Sequence, residues 1–146
     1  MDQMTRISRS ALVMHSAERM FDLVNDVRRY PEFLQGCEAT HVIEESDTTL
    51  EARLTLAKAG FEQSFTTRNV LQRPEKMTIT LVEGPFSKFT GTWHFQALSD
   101  EACKVTLELE FEMASKIAGA AMGALFKQVA GMMVDSFVKR AGEIYE

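Results

Sequence analysis

Gly84-Pro85-Phe86-Ser87-Lys88-Phe89-Thr90-Gly91-Thr92-Trp93-His94-Phe95 holds a turn followed by an alternation. Gly84-Pro85 makes the turn, and Phe89, Gly91, Trp93 and Phe95 then recur at every second position. On a strand, that period sends all four to one face. Three large aromatics flanking a residue with no side chain make a surface with a notch. Such a surface either packs a helix or holds a flat apolar ligand.

The same period extends in both directions. Cys103, Val105, Leu107, Leu109, Phe111 and Met113 alternate with Lys104, Thr106, Glu108, Glu110 and Glu112. Leu50, Ala52, Leu54 and Leu56 alternate with Glu51, Arg53 and Thr55, and Met77, Ile79 and Leu81 with Thr78 and Thr80. One apolar and one polar face per strand indicates an antiparallel sheet wet on one side. Turn residues separate the runs at Ser46-Asp47, Ala59-Gly60, Arg73-Pro74, Gly84-Pro85 and Ser99-Asp100. The pattern predicts strands over 37–45, 49–58, 61–72, 76–83, 86–97 and 102–114. An earlier strand at 5–14 makes seven, expected in meander order.

Two helical regions accompany the strands. Ser16 is an N-cap ahead of Met20, Phe21 and Val24 at helical spacing, and a short turn at 27–34 carries Tyr30, Pro31 and Phe33. A long helix over 115–145 shows Gly119, Met122, Gly123, Phe126, Ala130, Met133, Val134, Phe137, Ala141 and Ile144 on one stripe. A sheet with one apolar face and one long amphipathic helix pack against each other. The expected fold class is therefore α+β of helix-grip type. A curved seven-stranded antiparallel sheet, a long C-terminal helix and two short N-terminal helices would enclose a hydrophobic cavity.

The glycines inside the long helix each cost about 1 kcal/mol relative to alanine. Close approach to the sheet or space for a guest would explain them. A second stripe, Ile117, Ala121, Leu125, Val129 and Met132, lies on another side of the helix. It is expected to face water in part, as an apolar contact surface for a partner, a membrane or a second copy.

Length and composition bound the function. The 146 residues fit one domain, 1–146, with an ordinary 45% hydrophobic and 25% charged content. No run has the length and apolarity of a signal peptide or spanning helix. Cys37 and Cys103 stand far apart without a CxxC pair, which suits a reducing cytoplasm. A net charge of −5 disfavours loose, charge-driven binding to nucleic acid, while leaving room for a local basic patch, and no DNA partner is expected. His15, His41 and His94 are scattered without metal-ligand spacing, and no nucleophile elbow surrounds Ser87. The chain reads as non-enzymatic, with no metal and no required cofactor.

Across almost its whole length the chain resembles the START-like family of coenzyme-Q-binding proteins, within the polyketide cyclase/START superfamily. The resemblance rests on Ser-Arg-Ser-Ala-Leu-Val (8–13), Leu-Val-Asn-Asp-Val (23–27), Tyr-Pro-Glu-Phe-Leu (30–34) with Cys37, and Lys-Ala-Gly-Phe (58–61). Phe-Thr-Thr-Arg-Asn (65–69), Gly-Pro-Phe-Ser-Lys (84–88) and Gly-Thr-Trp-His-Phe (91–95) complete it. Gln35 stands where the family pattern usually has proline. The resemblance implies binding of ubiquinone or a related hydrophobic lipid in the cavity, supporting respiratory electron transport without turnover. The alternative, implied by a bacterial branch of ribosome-association toxins, is binding of the large ribosomal subunit and a block of subunit association and translation initiation. Either role fits a cytoplasmic protein, peripheral at the inner membrane through a transient membrane contact if it carries quinone.

On the quinone reading, Tyr30 and Phe33 close the mouth, and the Tyr30 hydroxyl donates to a quinone carbonyl. Phe61, Phe65, Phe89, Trp93 and Phe95 line the sheet side, and Met122, Phe126 and Met133 the helix side. A pocket of about 300–1,000 Å³ would hold a ring and a short tail. On the ribosome reading, Lys116, Lys127, Lys139 and Arg140 are the contact candidates.

Overall fold

The computed structural model describes residues 4–145 and, within them, every side chain but those of residues 116–118. Strands β1 (Thr5–Val13), β2 (Cys37–Glu45), β3 (Thr49–Lys58), β4 (Phe61–Gln72), β5 (Lys76–Glu83), β6 (Phe86–Ser99) and β7 (Ala102–Met113) form one antiparallel sheet. Its order is β1-β7-β6-β5-β4-β3-β2. From β2 to β7 the chain runs as a meander of hairpins, as the alternation predicts. β1 departs from that order. It lies beside β7, from Thr5 opposite Phe111 to Val13 opposite Cys103. The segment after β1 folds into helices and carries the chain across to the far edge, where β2 begins.

Those helices are α1 (Ala17–Asn25), a 3₁₀ turn at Val27–Arg29 and α2 (Tyr30–Phe33). Ser16 caps α1 as expected, its hydroxyl accepting the Arg19 N–H at 3.1 Å. Ser16→Ala should therefore cost about 1 kcal/mol. It should lower the denaturant midpoint without changing the slope, since the surface exposed on unfolding stays the same.

The long helix α3 (Lys116–Ile144) lies on the concave face of the sheet. Met122, Phe126, Ala130, Val134, Phe137 and Ala141 are buried along its inner stripe, whereas Ile144 at its end is exposed. Phe126 meets the rings of Phe65, Phe86, Phe89 and Phe111 with centroids 4.8–5.6 Å apart. Edge-to-face pairs of this kind add about 0.5–1.5 kcal/mol each beyond the area they bury.

Two expectations need correction. The notch at Gly91 is filled: Leu109 from β7 and Ile79 from β5 lean into the space its missing side chain leaves. The second stripe of α3 is largely covered, with Leu125 and Val129 buried. Gly36, at φ +93°, brings the α2–β2 loop so close beneath the helix that a Cβ there would stand 2.6 Å from Val129 Cγ2. Ile117 lies outside the described side chains, and only Ala121 and part of Met132 face water. The expected apolar contact surface is absent among the described residues. Of the two readings of the helix glycines, close approach to the sheet fits: Gly119 and Gly123 make room for Met113 at the end of β7, at 2.7 and 3.3 Å from the respective Cβ positions. They permit close packing there and do not open the central cavity.

Candidate functional site

Between α3 and the concave face lies a cavity of about 70 Å³, lined mainly by apolar side chains from β3 to β7, α2 and α3. Tyr30, Phe65, Phe89, Trp93, Phe126 and Met133 line it as the sequence predicts. Phe33, Phe61, Phe95 and Met122 lie outside the lining. Phe95 turns toward α1, where its ring meets Phe21 at 5.6 Å. Phe33 packs at the surface of α2, with the Arg140 guanidinium 5.1 Å from its ring and Phe137 at 5.3 Å. Phe61 opens β4 opposite Lys58, beyond the end of the cavity. Met122 is buried on α3 one turn ahead of Phe126.

Sequence reading missed two polar members of the lining, Thr67 and Asn69 on β4. The signal was available: both share the period of Phe65. Their registers, Thr67 with Ala52 and Leu81 and Asn69 with Leu50 and Ile79, put them on the apolar face. The side-chain oxygen of Asn69 is enclosed without a hydrogen-bond partner.

Tyr30 has a different task from the one expected. It is buried, and its hydroxyl donates to the main-chain oxygen of Val24, tying α2 to the last turns of α1. Burial raises its pKa above the ordinary tyrosine value. With its single O–H already donated to the Val24 carbonyl, the hydroxyl has no donor left for a quinone carbonyl.

The volume bears on what the cavity can hold. An apolar cavity of about 150 Å³ accepts benzene, and ligand pockets run to about 300–1,000 Å³. At about 70 Å³ this one is too small for a quinone ring as it stands. A guest would have to displace Met133 or another mobile side chain. The thiols offer no ready nucleophile: burial pushes Cys37 up to about 11 and raises Cys103 as well. Among the described residues, no three His, Cys, Asp or Glu side chains gather as a metal site.

On the surface, the cations expected to meet the ribosome fare unequally. Arg140 is held by Glu32 at 3.0 Å and lies over Phe33. Lys139 is exposed but shares its surface with Glu32, Asp135 and Glu143. Lys127 is exposed on α3, and the side chain of Lys116 lies outside the described set. No described helix is long and apolar enough to cross a membrane.

Comparison with known proteins adds to this geometry. Residues 13–138 match the family described as polyketide cyclase / dehydrase and lipid transport. The ribosome association toxin RatA of Pseudomonas aeruginosa is 49% identical over 141 residues, spanning 97% of this chain and 98% of that protein. The mitochondrial coenzyme Q-binding protein coq10 of Schizosaccharomyces pombe is 26% identical, over 90% of this chain and 84% of its own. Among solved structures, the Zhui aromatase/cyclase from a Streptomyces species superposes with a TM-score of 0.83 at 18% identity, covering 99% of this chain and 97% of the other. At that identity it speaks for the fold alone.

Proposed function

The chain belongs to the polyketide cyclase / dehydrase and lipid transport family, and from that premise we propose that it is a non-enzymatic ribosome-association factor. It binds the large ribosomal subunit through its outer surface and hinders joining of the small one. The observation that carries this reading is the 49% identity, end to end, with a protein named for ribosome association. The small cavity supports it, because a surface contact needs no internal guest.

Purified protein should co-sediment with isolated large subunits, and Ala130→Val, which adds bulk to the cavity lining, should leave that binding within about twofold. Failure to co-sediment removes the proposal. Loss of binding by a folded Ala130→Val variant would instead make a cavity guest part of the interaction.

A second reading has its own support. The apolar lining with Thr67 and Asn69 set in it, and the likeness to coq10, fit a hydrophobic small molecule with a polar head, such as ubiquinone, held without turnover. Tyr30, Phe65, Phe89, Trp93, Phe126 and Met133 would surround it after the cavity widens. Mass spectrometry of organic extracts from protein purified out of its own host tests this. A stoichiometric prenylquinone supports it, and empty protein counts against it.

A further inference from the structure

We infer that the solvent face of α3 around Lys127, with Arg9 and Lys58 beside it, docks on the phosphate backbone of RNA. This surface rests on the ribosome-directed reading and gives it a location.

Arg9 is the starting point. In the β1–β7 register it stands opposite Leu107, a fully buried residue, so its side chain leaves the sheet on the concave side. A guanidinium cannot stay in that core, and β1 is an edge strand, so it reaches out over α3. Its Nη1 donates to the Ser8 carbonyl at 3.0 Å, and its Nη2 stands 3.9 Å from where a Cβ of Gly131 would be. On the neighbouring flank, Lys58 Nζ donates to Gln128 Oε1 at 2.7 Å, which holds an ammonium against the same helix face. Lys127 lies on the Arg9 flank of the helix, in the groove it shares with Thr5 and Glu112. Residues four apart on a helix have Cβ atoms about 6 Å apart, so Lys127 and the Arg9 tip at Gly131 are near neighbours.

These three cations lack opposing charge, and unlike Arg53, Lys76 and Lys104, which also have no ion pair among the described residues, they gather against one helix. Arg6, Arg28, Arg29, Arg68, Arg73 and Arg140 each face a carboxylate within salt-bridge distance. Arg9, Lys58 and Lys127 have no ion pair among the described residues, and all three are exposed. From residue 116 to residue 134, α3 carries no Asp or Glu, in a chain whose net charge is −5. The carboxylates that bound the patch are Asp135, at its C-terminal end, and Glu112, in the groove beside Lys127, where one oxygen lies 3.0 Å from the Ser87 hydroxyl.

The relief of the patch also points to RNA. Ala120, Ala124 and Gly131 leave it low, so a sugar-phosphate backbone can come close, with arginine and lysine as phosphate partners. Membrane docking would call for large apolar anchors among the cations. The exposed Leu12, 74% accessible, lies on the opposite face of β1, in register with Lys104.

The test measures affinity for isolated large ribosomal subunits across about 50–200 mM salt. It uses wild type, the triple variant Arg9→Gln/Lys58→Gln/Lys127→Gln, and a control Arg53→Gln/Lys104→Gln on the opposite face of the sheet. The triple variant should bind at least tenfold more weakly at low salt, with the log–log salt slope reduced by about 2–3. The control should match wild type, and unfolding midpoints should confirm that both variants are folded. Wild-type binding with an unchanged triple variant overturns this surface while sparing the ribosome reading. Absence of wild-type binding removes both. Binding to phosphatidylglycerol vesicles that the triple variant loses, with subunit binding unchanged, overturns it in favour of a membrane.

Discussion

Replacing Trp93 by alanine should destabilise the protein by about 3–5 kcal/mol, a large share of the total of about 5–15 kcal/mol typical of a domain. The indole is 2% exposed. It stacks on Phe95 with centroids 6.0 Å apart and meets Phe137 edge-on at 5.5 Å. Those neighbours belong to the sheet and to α3, two rigid elements that cannot close over the gap. Most of the lost volume would therefore persist as an enlargement of the existing cavity. Denaturant unfolding reads the effect directly, and a loss below about 1.5 kcal/mol would mean that the interior collapses around the site. For the same reason this variant is a poor probe of guest binding, since it changes fold stability and cavity size together.

Gly36→Ala should cost about 2–5 kcal/mol through two additive causes. A left-handed backbone costs an L-residue about 1–2 kcal/mol, and forcing an extra methyl into a packed interface costs about 1–3 kcal/mol. Gly36 has φ +93°, and its Cβ would meet Val129 Cγ2 at 2.6 Å. Gly60 provides the internal comparison, with φ +85° and no heavy atom within 4 Å of its Cβ position. Gly60→Ala should lose only the backbone share. Equal losses at the two positions would show that α3 yields to the loop beneath it.

How far the sequence was legible depends on the range of the interactions. The strands, the cap at Ser16 and the inner stripe of α3 follow local periods, and the observed boundaries fall within a residue or two of those predicted. Leu125 and Val129 looked exposed because the loop that covers them is set by a single left-handed glycine far away in sequence. The place of β1 beside β7 is equally non-local. At the site, alternation alone found Phe65, Phe89 and Trp93. Phe95 shares their face yet serves a different contact, because position along the strand decides which part of the helix layer it meets. Thr67 and Asn69 carry the same period, but a polar side chain breaks the apolar alternation that marks the inner face of a strand. Cavity volume and the pairing state of each cation depend on side-chain packing in three dimensions, which no one-dimensional pattern records.

The pairing of β1 with β7 also sets a schedule for the nascent chain. Once β1 leaves the exit tunnel it finds its partner only after roughly a hundred more residues are made, a wait of about 5–20 s at ordinary elongation rates. Until then β7 does not exist, and the inward side of β1, with Ile7 and Val13, has nothing to lie against. The sheet therefore cannot close on that edge until β7 has been made, and a copy interrupted before residue 103 keeps an orphan strand open to pairing with other chains.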